Sequence, residues 1–548
     1  MVQISSYLRF RELGMNIDRK QDMNSSILIT ECTIPVGSGV FLNGDLYLPQ
    51  AENQLPVIIM RTPYGKHNIN AVFNPLEIVR SGFALLVQNV RGRFESTGSF
   101  NPFLNEKKDG DATVEWLCNQ KWCNKHIYAL GVSYEGMTAI LLGENKNSMA
   151  VAPIMSTSNI YRDWFFENHF IKQGFVQSWS HSFAFTDNGN LLDYKEIDVV
   201  QQLANDIKKL YYGHMASFPV SRYLEYYHSW IDEKDTIYWK KVEESTIGDM
   251  NADTYYISGW YDIFCEGSIK QYYENSDRVP GHHRLVIGPW SHTELFGSVV
   301  GDVDFGIYSL DKYSPMDIID WFEKVEKGVA KKTDISLYIM GRNKWYHFEE
   351  IPRPQIQRYF LNKKRENRII DCIGFSEINE TDTFMFDYSK LVPTCGGRCI
   401  DAIPEALGGP KYQRLIEDRD DVLVYTSDQL NEDIVIIGEV KFSIVCSSSL
   451  EKMDYMIKLC DVDQDGNSVN ILDSGVRLIR DADKVGNYCF SIGTVGHCFV
   501  KGHKIRCQIS SSNFPRLNVQ DWLIDKRGDN TVYLNGLTYI DLPVVGLD

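Results

Sequence analysis

A serine in a tight, glycine-flanked turn, an aspartate and a histidine occur along the chain in an order suited to acyl chemistry. Gly131-Val132-Ser133-Tyr134-Glu135-Gly136 follows a short apolar run and precedes a helical pattern. A nucleophilic serine needs that strand–turn–helix context, because the sharp turn lifts its hydroxyl off the sheet and bulky neighbours would clash. Gly131 fits, whereas Glu135 stands where the generic motif has its second glycine and Gly136 follows one later. Asp262 ends the run TYYISGWYD and His292 ends the next one, RLVIGPWSH, at intervals of 129 and 30 residues. Nucleophile, acid, histidine is the chain order found on open α/β sheets whose sites lie at the carboxyl ends of parallel strands. A serine hydroxyl is a weak nucleophile near neutral pH. His292 would take its proton, while Asp262 would fix the imidazole tautomer and stabilise the imidazolium.

Other chemistry-bearing residues are weaker candidates. Asp109 and Asp111 could be paired acids, but carboxylates at this position read more simply as the start of a helix, where they face its positive end. Cys265 is close to Asp262 without a base of its own and reads as a buried, inert thiol. His282 and His283 precede a core strand and are expected to face solvent. The close pairs Cys118/Cys123 and Cys395/Cys399 lack a second Cys or His pair at zinc-site spacing, so no metal is expected.

The elements that must position the serine, acid and base alternate along the chain. PVIIMRTPYG (56–65), GFALLVQNVRG (82–92) and HIYALGVS (126–133) have the near-continuous apolar cores of strands buried on both faces. DGDATVEWLCNQ (109–120) and YEGMTAILLGENK (134–146) read as helices between and after them. This alternation implies a doubly wound α/β domain. From 156 to 250 the strand runs vanish, and 19 of 95 residues are Phe, Trp or Tyr, against 12% for the chain. Tyr161, Trp164, Phe165, Phe166, Phe170, Phe175, Trp179, Phe183 and Phe185 give this inserted helical segment an aromatic inner surface; as a default, most of these rings fill its own core. From 347 onward, QRYFLN, DVLVYTS, VKFSIVCSSS, YMIKLCDVD and KIRCQISSS are short β-rich runs separated by turn residues, the pattern of an antiparallel sandwich or jelly roll.

Composition narrows the partners. At 548 residues the chain exceeds one hydrophobic core and should form two or three domains. Its net charge of −17, with no compensating Lys/Arg block, argues against nucleic acid or an anionic membrane surface as a partner. No run approaches the roughly 18 consecutive apolar residues of a membrane span. The first residues lack the basic-then-apolar pattern of a secretory signal, so a cytoplasmic location is expected and the twelve cysteines read as free thiols.

RTPYGK (61–66), VQNVRGRFESTGSF (87–100), DGDATVEWL (109–117), GVSYEG (131–136), GWYDIF (259–264), GPWSH (288–292), IMGRNKW (339–345), PTCGG (393–397) and GHKIRCQISSSNFPR (502–516) occur in this order. In these landmarks the chain, from about 27 to its end, resembles the X-Pro dipeptidyl-peptidase-like serine hydrolases. That group includes bacterial cocaine esterases, α-amino acid ester hydrolases and glutaryl-cephalosporin acylases. The resemblance implies an extension over 1–26, an α/β-hydrolase core over 27–155 and 251–346, an inserted helical cap over 156–250 and a C-terminal β jelly-roll domain over 347–548. It accommodates Glu135, since the family's elbow reads GxSYxG, and it matches the family's serine, acid and histidine to Ser133, Asp262 and His292.

It further implies an oxyanion hole made by the Tyr64 hydroxyl and the backbone N–H of Tyr134. Phe264 matches a position that borders the acyl pocket in cocaine esterases. The carboxylates that follow the catalytic acid in α-amino acid ester hydrolases, where they hold a free amine, are replaced here by Ile263, Phe264 and Cys265. Asn89 replaces an aspartate usual before the VRG motif, and Ser38-Gly39 replaces an Asp-Gly; both positions read as structural. The expected activity is hydrolysis of a small ester or amide through an acyl-enzyme, with an apolar or aryl acyl group and no cofactor. Alternatives are a peptidase or acylase acting on a short peptide or peptide-like metabolite, acyl transfer to a bound alcohol or amine, and a catalytically silent scaffold on the same fold. Relatives assemble as dimers or larger, which leaves a homo-oligomer open.

Overall fold

The computed structural model describes residues 27–50, 53–186, 224–310, 313–362, 368–370, 380–400, 408–479, 481–534 and 536–547. The 1–26 extension and the middle of the expected cap lie outside them.

Among the described residues, fourteen strands precede the C-terminal β region. They are β1 (Ile27–Pro35), β2 (Phe41–Pro49), β3 (Leu55–Thr62), β4 (Ala84–Asn89), β5 (Cys123–Val132), β6 (Ser148–Ile154), β7 (Phe166–Glu167), β8 (Phe170–Ile171), β9 (Asp253–Tyr261), β10 (His283–Ser291), β11 (Val299–Val300), β12 (Val303–Asp304), β13 (Thr333–Ile339) and β14 (Lys344–Phe348). Ten of them form one sheet in the order β1-β2-β4-β3-β5-β6-β9-β10-β13-β14. Pairing is parallel from β4 through β13, with antiparallel β1, β2 and β14 at the edges. The central strands are apolar on both faces because helices cover both. Val57, Ile58 and Ile59 on β3, Leu85 and Leu86 on β4, and Leu285, Val286 and Ile287 on β10 are all fully buried. Helices Glu106–Cys118, Tyr134–Leu142, Cys265–Arg278 and Pro315–Glu326 supply the covering layers.

Two expectations need correction. The segment after 156 is not free of strands: β7 and β8 pair as a short antiparallel ribbon. His283 does not face solvent. As the first residue of β10 it is 2% exposed, its Nδ1 sits 2.9 Å from the Thr254 hydroxyl, and its Nε2 is 2.8 Å from the Val279 carbonyl. Two partners on opposite ring nitrogens satisfy a neutral imidazole, and burial lowers its proton affinity accordingly. His282 beside it is half-buried against Asp253, at 2.6 Å.

Among the described residues the aromatic insertion shares its core with other parts of the chain. Trp164, Phe165, Phe175, Trp179 and Phe183 form one cluster with Trp230 and Trp239, and that cluster includes Tyr134, Met137 and Leu141 of the helix after Ser133. It also takes in Ile400 from the C-terminal region. Phe170 instead packs with Met456 and Leu517 of the β region. The side chain of Phe185 lies outside the described residues.

Beyond Gln355 the described residues form eleven strands joined in one largely antiparallel sheet, with short helical turns such as Arg414–Glu417 between them. Buried arginines fasten it to the rest. Arg516 pairs with Glu167 at 2.9 Å, and its Nε donates to the Arg398 carbonyl at 3.1 Å. Arg398 Nε donates to the Trp260 carbonyl on β9 at 2.9 Å. Insertion, β region and the strand leading to Asp262 are thereby tied at one place.

Candidate active site

Ser133 links β5 to the helix Tyr134–Leu142, with φ 60° and ψ −121°. A positive φ on a side-chain-bearing residue costs about 1–3 kcal/mol and persists only where its surroundings enforce it. Here they do. The Ser133 amide donates to Ile154 O on β6 at 2.9 Å, and the Ser156 hydroxyl donates to Ser133 O at 2.6 Å. A Cβ on Gly131 would fall 2.4 Å from the Glu135 Cβ, and one on Gly136 would fall 2.6 Å from the Ser156 Cβ. The second glycine is thus required at 136, where the helix meets Ser156, and Glu135 is tolerated because Gly131 makes room for it.

β9 ends just before Asp262 and β10 just before His292, so both side chains leave the same rim of the sheet as Ser133. Asp262 is fully buried. Its Oδ1 is 2.7 Å from His292 Nδ1, and its Oδ2 accepts from the Ser258 hydroxyl at 2.9 Å. A carboxylate at Nδ1 makes that nitrogen the donor and leaves Nε2 as the base. His292 keeps 13% side-chain exposure, enough to meet a ligand. No hydrogen bond joins Ser133 Oγ to His292 among the described residues. The two sides of the site are bridged instead by rings: Tyr134 lies 6.2 Å from Trp164, Trp164 4.5 Å from Phe264, and Phe264 5.4 Å from His292, centroid to centroid.

Tyr64 follows β3. Its amide donates to Thr62 Oγ1 at 3.1 Å, Arg93 Nε donates to Pro63 O at 2.8 Å, and Lys66 N donates to Asn89 Oδ1 at 2.7 Å. Asn89 Nδ2 also donates to Glu95 Oε2 at 2.7 Å, a contact that an aspartate could make only as two opposed carboxylates. Ser38 sits at φ 53° in the turn between β1 and β2, far from these contacts in role. The Tyr64 ring stacks on Phe183 at 5.9 Å, and its hydroxyl accepts from Trp179 Nε1 at 3.1 Å.

Tyr134 divides its duties. As first residue of its helix, its amide is one of those without an intrahelical acceptor. Its buried hydroxyl donates to Glu106 Oε1 and accepts from Phe103 N, both at 2.9 Å, while Glu106 pairs with Arg61 at 3.1 Å. Phe264 is fully buried against Trp164 and Phe175. Cys265 is enclosed, and burial pushes its thiol up to about 12, which keeps it protonated. Asp109, in the first turn of its helix, chelates Arg91 at 2.9 Å.

The family model for X-Pro dipeptidyl-peptidase (S15 family) matches residues 38–294, and that for the X-Pro dipeptidyl-peptidase C-terminal non-catalytic domain matches 327–523. The chain belongs to the X-Pro dipeptidyl-peptidase-like family. It is 28% identical over 531 residues to a cocaine esterase of Rhodococcus sp. (strain MB1 Bresler), covering 88% of this chain and 90% of that one. In fold it is similar to an aminopeptidase from a marine-sediment Thaumarchaeota archaeon, with TM-score 0.79 and 19% identity over 97% of this chain and 99% of that one. It also resembles an α-amino acid ester hydrolase, with TM-score 0.76 and 18% identity over 97% and 100% of the two chains. The family is one of hydrolases acting on esters or peptide-like substrates.

Several residues around the site carry no sequence signal of their own. Ser258, Glu106, Arg61 and Trp179 act on the candidate residues from other segments or turns. Glu135 is another. Burial pushes its carboxyl up to about 7, partly offset by hydrogen bonds from Thr62 and the Val132 backbone. A raised folded-state value means the folded protein binds the proton more tightly than the unfolded chain. Stability is therefore lost as pH rises from about 4.5 to about 7 and is level above that. Glu135→Gln should remove this dependence. Thermal midpoints measured at about pH 5 and pH 8 should show the variant gaining on the wild type at the higher pH; an equal offset at both would contradict it.

Proposed function

We propose that the protein is a serine hydrolase that cleaves a small carboxylic ester or amide through a covalent acyl-enzyme, with an apolar or aryl acyl group. The observation that carries this reading is the pairing of Asp262 with His292 Nδ1 at 2.7 Å, on the same sheet rim as a serine held at φ 60°. Ser133 Oγ attacks the carbonyl carbon as its proton passes to His292 Nε2. The contact between Ser133 Oγ and His292 Nε2 is one that forms with substrate, since such contacts are often long or poorly aligned before it binds. The carbonyl oxygen becomes an oxyanion, received by the Tyr134 amide and the Tyr64 hydroxyl. Collapse expels the alcohol or amine, which takes the proton from His292. Water, deprotonated by Nε2, then attacks the acyl carbon, and the acid leaves as the proton returns to Ser133 Oγ.

The acyl preference rests on the surroundings. Phe264 and Trp164 lie beside His292, and the three residues after Asp262, namely Ile263, Phe264 and Cys265, bring no carboxylate to hold a free α-amine. An ester or amide of a neutral acid suits this environment better than a peptide with a charged amino terminus. Comparing turnover of aryl esters with X-Pro amides separates the two.

The experiment that tests the reading is covalent labelling. A fluorophosphonate should modify the native protein once, and peptide mapping should place the adduct on Ser133. An adduct elsewhere would remove Ser133 from the mechanism, and absence of any adduct together with absence of esterase activity would favour a silent scaffold.

A further inference from the structure

We infer that Trp179 is a positioning residue for the reaction, acting through the Tyr64 hydroxyl. This rests on the proposed role of Tyr64 as an oxyanion donor and extends it to the inserted segment, which would otherwise serve only as a wall.

A phenol hydroxyl donates one hydrogen and accepts through its lone pairs, and its hydrogen rotates to suit its neighbours. At Tyr64 one lone-pair direction is taken by the Trp179 Nε1–H, 3.1 Å away. An indole N–H can only donate, so the contact has one sense: Trp179 gives and Tyr64 receives. The phenol hydrogen is thereby kept off the Trp179 side. Accepting a hydrogen bond also polarises the O–H and strengthens it as a donor, the cooperative effect of linked hydrogen bonds. A donor kept from turning toward Trp179 needs less reorganisation when charge develops on the substrate oxygen, and such preorganisation is the source of oxyanion-hole catalysis.

The indole is itself held in place. Trp179 is 6% exposed on the helix Gln173–Thr186. It stacks on Trp230 at 4.9 Å with an 11° interplanar angle, and on Phe175 at 5.5 Å with 15°. Phe183, one turn on, stacks on the Tyr64 ring at 5.9 Å. The same helix thus fixes both the ring and the hydroxyl of Tyr64. The other end of the tyrosine is fixed from the core, through Thr62 and through Arg93 on Pro63 O. Two walls of the molecule meet on one phenol.

A double-mutant cycle tests this. Tyr64→Phe should lower kcat on an aryl ester by about a hundredfold, the usual loss for one oxyanion donor. Trp179→Phe should lower kcat by about tenfold with KM within about twofold, since its contribution is made in the transition state. Trp179→Phe added to Tyr64→Phe should cost nothing further. Binding of a boronic acid that forms a tetrahedral adduct should weaken in Trp179→Phe, while binding of the product carboxylic acid should hold. Losses that multiply in the double variant, or a KM rise with kcat unchanged, would overturn the inference and leave Trp179 as ordinary packing. If Trp179→Phe disrupts folding, the benzothienyl isostere of tryptophan, in which sulfur replaces the N–H, decides by the same readings. Should Tyr64→Phe itself cost nothing, the proposed oxyanion role falls, a result distinct from a costly Tyr64→Phe with an additive Trp179→Phe.

Discussion

Ser133→Ala should lower kcat on a reactive aryl ester by about 10⁶-fold, the scale expected when a triad nucleophile is removed. The size follows from what remains. The proposed oxyanion donors and His292 would remain, and such remnants accelerate hydrolysis by about 10³–10⁴ over water, but no covalent intermediate could form. The fold should be indifferent to the change. The strained turn is held by the Ser133 backbone, through its amide to Ile154 and its carbonyl to Ser156, and alanine keeps both contacts. A thermal midpoint close to that of the wild type, measured with the rate, separates lost chemistry from lost structure. A variant that keeps more than about a tenth of the wild-type kcat would sink the proposed mechanism.

Much of this geometry was legible in the residues because strand and turn chemistry leave periodic or local marks. The apolar runs ending at Val132, Tyr261 and Ser291 are central parallel strands, buried on both faces, and such strands cannot hide. Gly131 announces the turn at Ser133, and the resemblance supplied the reason why Gly136 could serve in place of the generic glycine. What stayed hidden was contact between side chains from distant segments. Ser258 is as buried as its neighbours along β9, and nothing in TYYISGWYD distinguishes it from a core serine until Asp262 folds back over it. Trp179 is one of many aromatics in its segment, and only the three-dimensional turn of its helix sets its N–H against Tyr64. His283 was misplaced for a related cause. A histidine beside a turn reads as exposed, yet its neighbours Thr254 and Val279 offer one partner to each ring nitrogen. Polar burial depends on satisfaction, which sequence pattern does not encode.

Asp262→Asn tests the remaining link, and the expected loss is about 10⁴-fold in kcat near neutral pH. The argument concerns one proton. With aspartate, His292 Nδ1 must donate, and Nε2 stands free to accept from Ser133. An asparagine keeps the size and burial of the side chain but offers one acceptor and one NH₂ group. If the NH₂ faces Nδ1, that nitrogen becomes an acceptor and the ring proton moves to Nε2, where it blocks the base. Ser258 bears on the outcome. Its hydroxyl now donates to Asp262 Oδ2, and donating to an asparagine carbonyl preserves that bond, which turns the NH₂ toward the imidazole. The wrong tautomer is therefore the one the local hydrogen bonding favours. Even the other orientation removes the charge that stabilises the imidazolium as the proton arrives. KM should change little, since Asp262 is fully buried behind His292 and touches no substrate. Steady-state kinetics on the same ester, with the thermal midpoint as control, gives the answer. A loss smaller than about tenfold would mean that the buried carboxylate at 262 does not set the state of His292, and the base would have to be sought elsewhere.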